Sequence, residues 1–179
     1  MTNYRRNRAA GGCFFFTVNL ADRRSPILTE NIGALRAAFR YARLGHPFVI
    51  DAIVVLPDHL HTIWTLPECD DDFAVRWNLI KGNFSRALPR SEPISNSRKS
   101  RRERGIWQRR YWEHTIRSED DYARHVDYIH FNPVKHGYVD HVVEWPFSSF
   151  HRLVQLGVYP ASWATAAENA TVDFGERNE

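Results

Sequence analysis

Hydrophobic and polar positions along the chain fall into blocks whose period changes from two to about 3.6 and back. The run "GCFFFTVNL" is dense in β-forming residues and ends in the turn-like "ADRRSP", which predicts a strand over residues 13 to 20. From Thr29 onward, Ile32, Leu35, Phe39 and Ala42 share one helical face, and Gly45 supplies a stop. "FVIDAIVVL" and "HLHTIWTL" are apolar runs parted by Pro57 and Asp58, the pattern of a β-hairpin. The acidic triplet Asp70 to Asp72 suits a helix N-terminus, and Phe73, Trp77, Ile80, Lys81 and Phe84 continue it with helical spacing.

Residues 89 to 105 are rich in proline, serine and arginine and have no apolar period, so they predict a mobile basic loop. "WQRRYWEHTIR" predicts a further strand. Ser118 and Asp121 have capping-box spacing and open a helix at Glu119. Pro133 disfavours the α conformation in its predecessor, which predicts that this helix ends near Asn132. "WPFSSFHRLVQLG" gives one more short helix, with Gly157 past its end. The order β-α-β-β-α-β predicts an α+β fold, a ferredoxin-like antiparallel sheet with helices on one face. One domain is expected over residues 1 to 165, followed by a polar tail over 166 to 179.

Composition supports a single core: 179 residues, 43% of them hydrophobic and six of them tryptophan. The formal net charge is only +3, but its distribution matters more than its size. Arg5, Arg6 and Arg8 cluster at the start, and seven basic residues lie between Arg98 and Arg110 with Glu103 as the only acid among them. Such clusters suit phosphate contacts as well as a solvated surface. Cys13 and Cys69 are the only cysteines, too few for a disulfide framework or a cysteine zinc knuckle, and a reducing cytoplasm fits. No run approaches the roughly 20 apolar residues of a membrane span, and "CFFFTV" is too short for a signal peptide, so a cytoplasmic protein is expected.

The candidate chemistry begins at "VVLPDHLHTIWTLP". Alternate strand residues share a face, so His59 and His61 point the same way with Cβ atoms roughly 7 Å apart. That spacing lets both imidazoles reach one metal, but taken alone it more often marks two hydrogen-bonded strand histidines. A third ligand decides between the two. In "HVDYIHFNPV", Tyr128 and Asn132 are i and i+4 on one helical face. Asn132 can complete a three-ligand set, which brings the Tyr128 phenol to whatever occupies the open positions. His125 is the candidate proton acceptor for that phenol, whose unperturbed pKa is about 10. Trp107, Arg109, Arg110, Tyr111 and Trp112 mix aromatic and basic residues in the way that suits base stacking with phosphate contact.

The His-hydrophobe-His strand, the "Tyr-x-x-x-Asn" helix and the blocks "NPVKHG", "WPFSSFHR" and "YPASW" together resemble the HUH single-tyrosine transposases, specifically the REP-associated tyrosine transposases. The resemblance starts at "YRR" near Tyr4 and spans nearly the whole chain. It implies cleavage of single-stranded or hairpin DNA from REP elements by Tyr128 through a 5′-phosphotyrosine. It also implies Mg2+ or Mn2+ on His59, His61 and Asn132. Recognition at the hairpin foot is implied for Tyr4, Arg5 and Arg6, and further DNA contacts for Arg109, Arg110 and Lys135. A monomer or a homodimer, associated with the nucleoid, fits the resemblance. Two other readings stay open: a catalytically silent REP-hairpin-binding protein with a regulatory or chromosome-organising role, and a replication initiator or relaxase of the wider HUH group.

Overall fold

The structure is a computed structural model and describes residues 9–90, 96–101 and 103–164. Its first strand, β1 (Cys13–Asn19), is buried on both faces, which is why it reads as a nearly unbroken apolar run. Phe14, Phe16 and Val18 enter one hydrophobic cluster, whereas Phe15 enters another on the opposite side. A single turn, α1 (Ile27–Glu30), leads into α2 (Ile32–Gly45), which buries Leu35, Ala38, Phe39 and Ala42. β2 (Val49–Val55) and β3 (His59–Thr65) form the expected hairpin. α3 (Phe73–Ala87) starts at Asp72, whose side chain accepts a hydrogen bond from the Val75 N–H. The chain continues through α4 (Asn96–Ser100), β4 (Trp112–Thr115) and α5 (Glu119–Lys135), then a 3₁₀ turn at Val142–Glu144 and α6 (Phe150–Gln155).

The four strands are antiparallel in the order β2-β3-β1-β4, the ferredoxin-like arrangement expected from the order of elements. α2 and α3 share one face of the sheet, where Trp64 of β3 stacks on Trp77 of α3 with ring centres 4.2 Å apart. The later helix α5 covers the other face, packing Val126, Tyr128 and Ile129 against Phe15, Ala52, Val54 and Ile63.

Three segments differ from the expected pattern. β4 is shorter than the predicted strand because Trp107 and Tyr111 turn into the α3 side of the core, against Phe84 and Trp77 respectively. Only a single bridge joins Trp107 to Leu20 of the sheet's neighbouring strand end. α5 does not stop near Asn132 but runs through Pro133 to Lys135. The proline removes one N–H from the ladder, while the continued turn buries Phe131 and Val134 against Val142 and Phe150. The helix closes at Gly137 (φ +69°), where Tyr138 N–H donates to Pro133 O at 3.0 Å and Gly137 N–H to Val134 O at 2.9 Å.

The predicted basic loop contains α4, and its described flanks are tied to the body. Arg104 donates to the carbonyls of Ser85, Leu88 and Pro89, and Arg98 reaches Trp107 O at 3.3 Å. Residues 91–95 and 102, and the tail expected over 166 to 179, lie outside the described residues. Among the described residues no helix is long and apolar enough to cross a membrane.

His130 is fully buried on α5, with Nε2 3.0 Å from Ser149 Oγ. Burial, aided by the charge of Arg152, pushes its imidazole down to about 4. The unfolded chain, with a histidine pKa of about 6.5, binds more protons at this position than the folded chain. The contribution to stability is therefore complete above about pH 6.5 and is lost as pH falls towards 4. Denaturant unfolding at pH 7 and pH 4.5 should show His130→Gln losing about 2 kcal/mol less on acidification than the unmutated chain.

Candidate active site

Two neighbouring strands set up the site. The β1–β3 register places Thr17 opposite His61 and Asn19 opposite His59, all on the face that α5 covers. Both imidazoles are buried, their ring centres lie 5.0 Å apart, and the planes are nearly perpendicular at 86°. Each ring is held through Nδ1: His61 by Thr17 Oγ1 at 2.8 Å, and His59 by Asp58 Oδ1 at 2.8 Å. That leaves Nε2 of each ring for the site. Burial, together with the positive charges of His59, His136, Lys135 and Arg23, holds the His61 imidazole well below its ordinary range. His61 is therefore a neutral ring with a lone pair at neutral pH.

Asp58, in the hairpin turn, is itself fixed. Arg23 Nε donates to its Oδ2 at 2.6 Å, Arg23 Nη1 donates to Asn19 Oδ1 at 2.5 Å, and Nη2 lies 3.4 Å from His59 Nδ1. Burial raises the Asp58 carboxyl, but the His59 hydrogen bond and the charges of His59 and Arg23 outweigh it and hold the group below the usual carboxylate range. A carboxylate on the far nitrogen of an imidazole fixes its tautomer and orientation and raises its basicity, the usual outer support of a metal-ligating histidine.

Tyr128 of α5 and His136 at its C-cap, eight residues apart, both reach the pair. The Tyr128 hydroxyl is 3.5 Å from His61 Nε2, and its ring touches Phe15 and lies 5.1 Å from Lys135 Nζ. At the other end, the His136 ring lies 5.2 Å from that of His59. Asn132 occupies the turn between them on the same helical face. It is completely buried, and neither Oδ1 nor Nδ2 has a hydrogen-bond partner among the described residues. An unsatisfied buried amide costs about 1–3 kcal/mol, so an amide left open on the helical turn next to Tyr128 fits a ligand position for a cation.

The sequence-predicted residues divide clearly. His59, His61 and Tyr128 come together, with Asn132 on the helical turn beside them. His125 directs its Nδ1 at Asp121, 2.8 Å from the carbonyl and 3.2 Å from the carboxylate, and lays its ring on Phe15. Arg109 pairs with Glu103 at 2.9 Å, while Arg110 is exposed. Trp107 is buried, whereas Trp112 is 51% exposed at the sheet edge, opposite Thr17. Tyr4, Arg5 and Arg6 lie outside the described residues. Sequence reading missed Thr17, Arg23, Asp58 and His136. A signal existed for Asp58, which directly precedes His59, and for His136, which continues the four-residue spacing of Tyr128 and Asn132.

No protein-family profile matches the chain. A REP-associated tyrosine transposase of Escherichia coli K12 is 51% identical over 164 residues, covering 92% of this chain and 92% of that protein. A Haemophilus influenzae protein assigned to the same group is 48% identical over 164 residues, covering 91% of this chain and 93% of its own length. Among solved structures, that of a REP-associated tyrosine transposase bound to a REP hairpin superposes with a TM-score of 0.82 at 47% identity, covering 100% of this chain and 99% of that one.

The outer support of His59 gives a test that does not touch a ligand. Asp58→Asn keeps the size of the side chain but replaces the negative carboxylate with a neutral amide, and Mn2+ titration should show affinity weakened about 10- to 100-fold. Unchanged affinity would detach Asp58 from the site.

Proposed function

The chain belongs to the REP-associated tyrosine transposases, and from that premise we propose that it cuts and rejoins single-stranded or hairpin REP DNA through a 5′-phosphotyrosine on Tyr128. The observation that carries the reading is the Tyr128 hydroxyl, 3.5 Å from His61 Nε2 at the end of a stripe that also holds the unpartnered Asn132. His59, His61 and Asn132 would hold a divalent cation, Mg2+ or Mn2+. When bound it supplies a Lewis acid for phosphate oxygens.

This chain's own residues account for the remaining steps. Phe15 and His61 hold the phenol ring at a fixed angle, which limits the freedom lost on reaching an in-line geometry. As the Tyr128 oxygen forms its bond to phosphorus, the bond to the 3′ oxygen breaks, and that oxygen leaves as a hydroxyl after taking a proton. The phenol proton passes to a base or to solvent. His125, three residues earlier on the same helix, is the candidate acceptor by position. An unchanged pH–rate profile in His125→Gln would assign that task elsewhere. The number of phosphodiester bonds is conserved, so a 3′-hydroxyl can reverse the step and join strands without ATP.

Arg23, Lys135 and His136 surround the pair with positive charge suited to a phosphate backbone. Exposed Trp112, with Arg109 and Arg110 close by in sequence, suits an unpaired base and its phosphates, and Tyr4, Arg5 and Arg6 are assigned to the hairpin foot. Nucleophile and histidines meet within the fold of one chain, which fits a monomer as well as a homodimer. Acting on chromosomal repeats, the protein would be associated with the nucleoid.

A REP hairpin with a single-stranded foot, incubated with Mn2+ and run on a denaturing gel, should yield a covalent protein–DNA adduct. Tyr128→Phe should abolish it, a loss of at least about 1,000-fold or ~4 kcal/mol in transition-state stabilisation, while still binding the hairpin. An adduct in Tyr128→Phe would overturn the nucleophile. Tight binding by the unmutated chain with no adduct would instead make it a silent hairpin-binding protein.

A further inference from the structure

On the same sheet face as the candidate active site, but beyond the ring of Phe15, a second group of ligand-bearing side chains converges. His114 stands on β4, and Asp121 and His125 are i and i+4 on the first turns of α5. Their ligand atoms all lie within 4.8 Å of one another. Asp121 Oδ2 is 2.9 Å from His114 Nε2, and Asp121 Oδ1 is 3.2 Å from His125 Nδ1. The two imidazoles stack with centres 4.8 Å apart at 14°. Trp112 lies parallel to His114 at 5.9 Å and Phe15 sits 4.7 Å from His125, so aromatic neighbours hold both rings in place. All three residues are half-buried and within reach of solvent.

We propose that His114, Asp121 and His125 form a second metal site, selective for Zn2+ or a similar late divalent transition metal, that clips the start of the nucleophile helix to the edge strand. Two imidazoles and one carboxylate favour such an ion over Mg2+, and three protein ligands leave a fourth position for water. Ligand atoms bonded to one tetrahedral zinc sit roughly 3.4 Å apart, so the observed group needs only small side-chain rotations. His114 would bind through Nε2 and His125 through Nδ1. Binding uses the lone pair of each of these nitrogens, so a proton carried there moves to the ring's other nitrogen or to solvent. The His125 hydrogen bond to the Asp121 carbonyl, now 2.8 Å, is exchanged for a metal bond. The consequence for the reaction is mechanical: the clip lies three residues before Tyr128, where it limits tilting of α5 away from the sheet. A metal-bound His125 could not also take the Tyr128 proton, so with this site filled that proton passes to another base or to solvent.

Co2+ is the probe, because a site of this kind gives visible d–d absorption that octahedral Mg2+-type sites barely show. The His59→Ala/His61→Ala chain, in which the proposed catalytic cation site is disabled, should still bind one equivalent of Co2+ with that absorption. Zn2+ should displace it and, at a hundred times its Kd, raise Tm by roughly 5–10 °C. Adding His114→Gln or Asp121→Asn should remove both responses. If the double-alanine chain does not fold, the unmutated chain in excess Mg2+ replaces it, with the same expectations. Absence of Co2+ binding in these chains, or binding unchanged by both His114→Gln and Asp121→Asn, would overturn the site. Strand cleavage is not read in this experiment, so failure of the nicking assignment leaves its outcome unaffected.

Discussion

The register between β1 and β3 is the constraint on which the rest of the site depends. Side chains alternate along a strand, so a slip of one residue would turn His59 and His61 onto the α2–α3 face. What prevents the slip lies on that other face. Leu60 and Trp64 of β3 are fully buried there, and Trp64 stacks on Trp77 at 4.2 Å while Phe48 and Phe16 crowd its edges. Moving that indole to the α5 side would abandon several aromatic contacts at once, each worth about 0.5–1.5 kcal/mol beyond the area they bury. The aromatic core thus fixes the orientation of imidazoles that it does not touch.

The second constraint is a helix that keeps its pitch. Tyr128, Asn132 and His136 fall on one line only if the turn between them is helical, and Pro133 lies inside that turn. The restriction that proline places on its predecessor is a preference set by local sterics. Here tertiary burial of Phe131 and Val134 overrides it, and the terminal hydrogen bonds from Gly137 and Tyr138 satisfy carbonyls the last turn would otherwise leave open. Had α5 ended near Asn132, His136 would have lost the periodicity that sets it against His59.

Local pattern made the sheet order and most elements legible, because "CFFFTVN", the Pro57-Asp58 turn and the Ser118 cap are short-range signals that the fold does not contradict. The paired histidines were legible for the same reason: period two needs no knowledge of partners. What sequence could not supply was anything joined across the sheet. Thr17 and His61 are 44 residues apart and meet only through the β1–β3 register, and Arg23 reaches Asp58 across 35 residues. Trp107 and Trp112 look alike in "WQRRYW", yet one fills the core and the other faces solvent, a difference decided by where the chain leaves the ladder. The basic run after Pro89 shows the same limit. Arg104 holds backbone carbonyls, and composition does not distinguish that use from a phosphate contact.

Charge in this molecule has to be read at the scale of a few ångströms. A net charge of +3 over 179 residues predicts little about polyanion binding. Around His61, however, His59, His136, Lys135 and Arg23 act together, and their joint effect adds to burial in keeping that ring neutral. Neutral imidazole is the form that can donate a lone pair, and the same cations give the mouth of the site the sign a phosphate requires. One set of charges therefore serves two demands that would conflict if His61 itself carried the positive charge. A protonated His61 would attract phosphate but could not ligate. Separating the two tasks, with a neutral His61 inside and positive charge around it, is the arrangement that the proposed metal ligation and phosphate binding both need near neutral pH.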